Sequence, residues 1–322
     1  MFMTLVLLLL ISRLTNSNKA LGILMLVIPL SMLSGIIFPA VGQILSPYLL
    51  VLLGGLLFLN LLKLDARDLI TTFTKPKMLL LLTILKLIIL PLVMYSISYV
   101  VAPAMALPIV LLTGISTGLG SPFVVNFVGG RLPIIVGLII STSIAVPFVL
   151  PTLVYVLFRT TFSIPILDMM LLLTSALFVP LALGLTIKRY SPKLASVAEK
   201  YSLSASIVLM ALINFAMFAN YSTYFITNQI LVLEITLISF LLYGAYGLLG
   251  YLFVILASKK SATDERIAGF IAMTYINNIL VVVFAQQFFG PEVAALSAFY
   301  NIPYYVGILI LKKWSSSLVM PD

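Results

Sequence analysis

Between Lys77 and Arg131 a single charged side chain, Lys86, interrupts an otherwise uncharged and strongly apolar stretch. Such a stretch cannot build a water-facing surface, and it is long enough for more than one membrane-spanning helix, each of which consumes about 20 apolar residues. The rest of the chain has the same character. Of its 322 residues, 62% are hydrophobic and 8% are charged, against about 25% charged in an ordinary soluble domain. The expected fold is an all-α, polytopic membrane protein whose surroundings are the lipid bilayer.

Apolar runs bounded by charges, Pro and Gly place ten spans near residues 20–41, 46–62, 77–101, 104–130, 133–158, 165–187, 201–219, 229–257, 267–289 and 293–311. The opening MFMTLVLLLLIS, residues 1–12, is too short to span and has neither a basic start nor a small-residue cleavage site. It reads as an interfacial segment, with a signal anchor as the alternative. With both termini in the cytoplasm, sixteen of the eighteen basic residues lie on the inside, from Arg13 and Lys19 to Lys312 and Lys313. Arg159 alone falls in an outside loop and Lys86 within a span. This bias sets the orientation expected of a multi-pass protein of the cell membrane, and it assigns the net charge of +9 to topology rather than to nucleic-acid binding.

The chain contains no Cys and no His. Thiolate nucleophiles, Cys/His metal sites and imidazole acid–base chemistry are therefore excluded together, and no pair of mid-membrane carboxylates takes their place. No enzymatic activity, cofactor or metal centre is expected.

Ten spans divide into five plus five, which places the second half upside down relative to the first, as in transporters built from inverted repeats. The organisation predicted is an N-terminal segment (1–19), a first five-helix repeat (20–160), a second (161–313) and a cytoplasmic tail (314–322). The fourth span carries Gly114, Gly118, Gly120, Ser121 and Pro122 in its middle and cannot continue as a regular helix. The ninth, at the corresponding place in the other half, carries Thr274, Tyr275, Ile276, Asn277 and Asn278. Interrupted spans at matching positions point to a central solute site.

At these residues the chain resembles the bile acid:sodium symporter family and its wider superfamily. The similarity runs through LLFLNLLKLDARDLITTFTKPK, KLIILPLVMYSISYVVAPAMALPIVLLTGISTGLGSP, STSIAVPFVLP, and TYINN through AQQFFGPEVAALSAFYNIP. It implies two inverted five-helix repeats, a core domain in which spans 4 and 9 unwind and cross, and a panel domain that rocks against it, with solute bound near the crossover. It also implies a sodium site, and here this sequence departs from the pattern. The acidic position of the ninth span holds Ala272, its Gln-Asn pair reads Ile276 and Asn277, the Ser-Asn pair of the fourth reads Ser121 and Pro122, and the third-span Gln is Lys86. The expectation is sodium-independent transport.

Lys86 is the principal candidate residue. A charge in mid-span costs on the order of 2.5 to 3.5 kcal/mol on insertion scales, so it should face a cavity or a partner. Its ammonium can stand where relatives bind sodium, either loading and unloading a proton or countering an anionic solute; the alternative is a lysine that snorkels or plugs a degenerate site. Asn277 and Asn278 can bond solute at the crossover or satisfy freed backbone groups. Gly118, Gly120 and Ser121 can admit solute to the backbone or serve the break alone. Thr142, in the STS cluster with Ser143, and Asn301 complete the set, while Tyr300, Tyr304 and Tyr305 read as an interfacial belt or a cavity wall. Together these residues suit a secondary transporter of a small organic anion working by alternating access, possible coupling to a proton being carried by Lys86. The alternatives are a weak-acid exporter akin to auxin-type carriers, a sodium symporter using backbone ligands, and a channel or sensor on a transporter scaffold.

Overall fold

The computed structural model describes residues 17–62, 76–161, 163–258 and 261–319. The opening segment, the end of the tail and the loop charges Lys63, Arg67, Lys75, Lys259 and Lys260 lie outside the described residues. Among the described residues all regular structure is helical, apart from one isolated backbone bridge.

The helices are α1 Ser17–Ile37, α2 Pro39–Gln43, α3 Leu49–Leu62, α4 Pro76–Ile84, α5 Leu90–Val101, α6 Ala106–Gly114, α7 Ser121–Val128 and α8 Leu132–Phe158. They continue with α9 Ile166–Tyr190, α10 Pro192–Asn220, α11 Ser222–Thr227, α12 Gln229–Ala257, α13 Thr263–Thr274, α14 Asn278–Phe289, α15 Pro291–Phe299 and α16 Asn301–Val319. Their ends follow local rules. Proline occupies the first turn of α2, α7, α8, α10 and α15, where its missing N–H is not needed. Gly129 (φ 98°) closes α7 and Gly290 (φ 88°) closes α14, in a backbone region that favours glycine.

Among the described residues seven helical segments are long and apolar enough to cross a membrane: Pro39–Asn60, Pro76–Val101, Leu132–Phe158, Ile166–Tyr190, Pro192–Asn220, Gln229–Ala257 and Pro291–Ser315. Three shorter apolar helices, Gly22–Ile37, Pro103–Gly114 and Asn278–Phe289, accompany them. Exposed on these helices stand Val51, Val100, Leu171, Leu241 and Leu256, an arrangement that water would penalise and lipid accepts. The chain is an all-α, multi-pass membrane protein.

Some boundaries differ from the sequence expectation. The span placed at 201–219 begins at Pro192, because its polar first turns are helical as well; Glu199 in those turns forms a 3.4 Å, solvent-accessible ion pair with Lys188 of α9. The spans placed at 104–130 and 267–289 are interrupted where the sequence led one to expect, each being two helices separated at 115–120 and 275–277.

Two compact units organise the chain. One comprises residues 1–63 and 176–232, the other 64–175 and 233–322, so each draws on both halves of the sequence. In the first, α10 packs along α1, α2 and α3; the Gln43 amide donates to the Ala219 carbonyl at 3.4 Å and the Ser46 hydroxyl to the Asn220 amide oxygen at 2.9 Å. In the second, α8 touches α4, α6, α7 and α13, while α16 touches α7 and α13. There α12 and α13 approach to backbone contact: a Cβ at Gly250 would lie 2.3 Å from the Gly269 carbonyl oxygen.

Candidate functional site

All eight residues singled out from the sequence fall in the second compact unit. The site begins with the two helix breaks. Ile115 turns extended after α6, and Tyr275 leaves the helix after α13. The released strands pair antiparallel at Thr117 and Ile276. The Gly118 N–H donates to the Tyr275 carbonyl at 2.8 Å and the Asn277 N–H to the Ser116 carbonyl at 2.9 Å. Backbone groups freed in an apolar interior must find partners, and each break supplies those of the other.

Gly118 makes this pairing possible: a Cβ there would lie 2.4 Å from the Ile276 carbonyl oxygen. Gly120 faces Tyr304, whose hydroxyl would stand 2.8 Å from an added Cβ. Ser121, fully buried at the start of α7, donates to the Tyr275 carbonyl at 2.8 Å. Thr142 on α8 accepts the Thr117 N–H at 3.0 Å and donates to the Leu138 carbonyl, tying the first break to α8.

The carbonyls at the end of α13 are met by side chains from four directions. Thr117 donates its hydroxyl to Ala272 at 3.1 Å, Lys86 its ammonium to Met273 at 3.0 Å, and Tyr300 its phenol to Thr274 at 3.0 Å; Tyr275 receives Gly118 and Ser121. A helix end carries partial negative charge on such carbonyls. Lys86 is therefore the charged member of a set of caps, and it is fully buried. Its placement has a local cause. Pro91 can neither donate to the carbonyl of Leu87 nor tolerate it at α-helical distance, and the preceding Leu85–Ile89 widens into a π-turn in which the Leu90 N–H reaches the Leu85 carbonyl.

Around these caps several buried polar atoms have no hydrogen-bond partner among the described residues: Ser116 Oγ, Asn277 Nδ2, Asn278 Oδ1, Ser297 Oγ and Asn301 Nδ2. Asn278 spends its other amide end on the Ser297 carbonyl at 2.6 Å. Asn301 opens α16 and is buried.

The tyrosines are not an interfacial belt. Tyr300, Tyr304 and Tyr305 are buried, and with Tyr243, Tyr246 and Tyr275 they form one aromatic cluster around the second break. The Tyr243 and Tyr275 hydroxyls lie 2.9 Å apart. Periodicity could not separate these rings from lipid-facing ones, because Tyr243 and Tyr246 stand in a long, mostly apolar α12 that also carries the part-exposed Tyr251; Thr117 was visible as a polar residue inside the glycine-rich break. Asp168 and Glu234 are both exposed. A further link that sequence reading missed joins the outer ends of the half-helices: Arg131, after α7, pairs with the buried Glu265 of the first α13 turn at 2.6 Å, and its N–H donates to the Asp264 carbonyl at 3.1 Å.

A comparison with protein families matches residues 50–228 to the sodium bile acid symporter family. That stretch exceeds half of the 322 residues and contains Lys86, the first break and Thr142, stopping before the second break. No individual curated protein matches the sequence. With its interrupted, mutually bonded helices and a family match over more than half of its length, the chain belongs to the sodium bile acid symporter family, a family of membrane transporters and not of enzymes.

Proposed function

We propose that this protein carries a small organic anion across the cell membrane by alternating access, without sodium, and that Lys86 couples the movement to a proton. The observation that carries the reading is the Lys86 ammonium on the Met273 carbonyl. In a family named for sodium symport, a lysine lies against the helix end to which a coupling cation would be drawn. The carbonyls of residues 272–275 already accept protein donors, which disfavours a sodium site built from them. The buried amides and hydroxyls of Ser116, Asn277 and Asn278 supply both donors and acceptors for a carboxylate-bearing solute.

The proton reading is also supported by what surrounds Lys86. The elements packed against its turn are α4, α5, α6 and α8, and α13 supplies its acceptor. Their titratable or charged residues are Lys77, Tyr95, Tyr99, Tyr155, Asp264, Glu265 and Arg266, with Tyr275 just past the end of α13. Asp264, Glu265 and Arg266 lie at the far end of α13 from Met273, about 10 to 13 Å away at the usual rise. Among the described residues no carboxylate forms an ion pair with Lys86.

The two compact units are the candidates for the core and panel of a ten-span, inverted-repeat carrier with both termini in the cytoplasm. Counterflow in proteoliposomes tests the reading: vesicles preloaded with an organic anion should accumulate labelled anion equally with and without sodium. Strict sodium dependence, or no counterflow across a panel of monocarboxylates and larger organic anions, would overturn it.

A further inference from the structure

The end of α13 sorts its caps by charge. Ala272 and Thr274 accept from the neutral hydroxyls of Thr117 and Tyr300, and the intervening Met273 accepts from an ammonium. Among the described residues no carboxylate pairs with that ammonium, and the counter-charge in contact with it is the helix end. A cation held by backbone oxygen at a helix end, reached through a four-carbon stem from another helix, occupies a place that a small soluble cation could fill if the stem were gone.

We propose that the Lys86 ammonium fills a monovalent-cation site at the C-terminal end of α13 with a tethered primary amine, and that shortening Lys86 leaves a site for primary ammonium ions from solution. The inference rests on the assignment of Lys86 above and gives it a chemical identity: the protonated lysine is the cation-loaded state of the carrier, and the coupling ion is carried on the chain. Truncation to alanine removes three methylenes and the amine, the outline of n-propylammonium. The ligand class is therefore a primary alkylammonium matching the lost length, with smaller monovalent cations binding less tightly. A bulky quaternary ammonium does not fit.

Thermal unfolding of the purified full-length protein tests this without measuring transport. The midpoint of Lys86→Ala is expected to rise saturably with n-propylammonium, by about 2 °C or more, and less with methylammonium, ammonium or sodium. Choline at equal ionic strength should give no rise. Wild type and Lys86→Met, whose side chains fill the space, should not respond. A Lys86→Ala midpoint indifferent to every amine, or an equal rise in Lys86→Met, would overturn the inference. If Lys86→Ala yields no folded protein, Lys86→Gln takes its place with ammonium and sodium as probes, and the same saturable rise decides. Amine binding without anion transport would keep this inference and remove the transport reading; pH-driven transport without amine binding would do the reverse.

Discussion

At the scale of single residues, the break in the fourth span is held by what is missing from one position. Gly118 lies where a Cβ would meet the Ile276 carbonyl oxygen at 2.4 Å. Gly118→Ala must therefore push two backbones apart, at about 1 to 3 kcal/mol by analogy with overpacked cores. It is expected to lower the unfolding midpoint and abolish transport. Gly244→Ala, at a helical position with nothing within 4 Å of the added carbon, should be neutral or gain about 0.5 to 1 kcal/mol. Equal effects in the two variants, compared by thermal unfolding, would contradict the close-approach account. Thr117→Val keeps the shape but strips the donor from the Ala272 carbonyl. Leaving a buried acceptor unmet costs about 1 to 3 kcal/mol, measurable in the same assay. Glycines and a proline in mid-span made a break legible in the sequence. The partner of each freed backbone group was not, because those bonds join residues more than 150 positions apart.

At the scale of elements, Pro91 governs the turn that presents Lys86. The proline was plain in the sequence, yet its consequence depends on whether the helix kinks, breaks or widens. Widening over Leu85–Ile89 is what the structure records. Pro91→Ala allows the α-helical register to run through, rotating Lys86 relative to Met273. Transport should fall severalfold while the unfolding midpoint stays level or rises, and unchanged transport would remove the turn from the account. At the outer ends of the half-helices, the Arg131 and Glu265 pair is partly exposed on the arginine side (39%) and buried on the carboxylate side (2%). Screening limits such a pair to below about 1 kcal/mol of coupling, which a double-mutant cycle on Arg131→Ala and Glu265→Ala would read. The apolar runs fixed most helix positions to within a few residues; they missed the polar first turns of α10, where composition gives no boundary although the helix continues.

At the scale of the whole molecule, a composition of 62% hydrophobic and 8% charged residues made the membrane class legible. The division into compact units was not, since each unit is assembled from two segments far apart in sequence. The eight candidate residues share one of these units, and Lys86 is the buried cation among them. If that cation is the coupling element, the driving force for transport is a proton gradient. The measurement that reaches this most directly is uptake of organic anion into proteoliposomes under an imposed pH gradient, in sodium-free buffer, for wild type and Lys86→Ala. The account predicts that wild-type uptake follows the gradient and that Lys86→Ala loses the response by tenfold or more while still binding solute. Uptake that ignores the pH gradient and requires sodium in the wild type would contradict it.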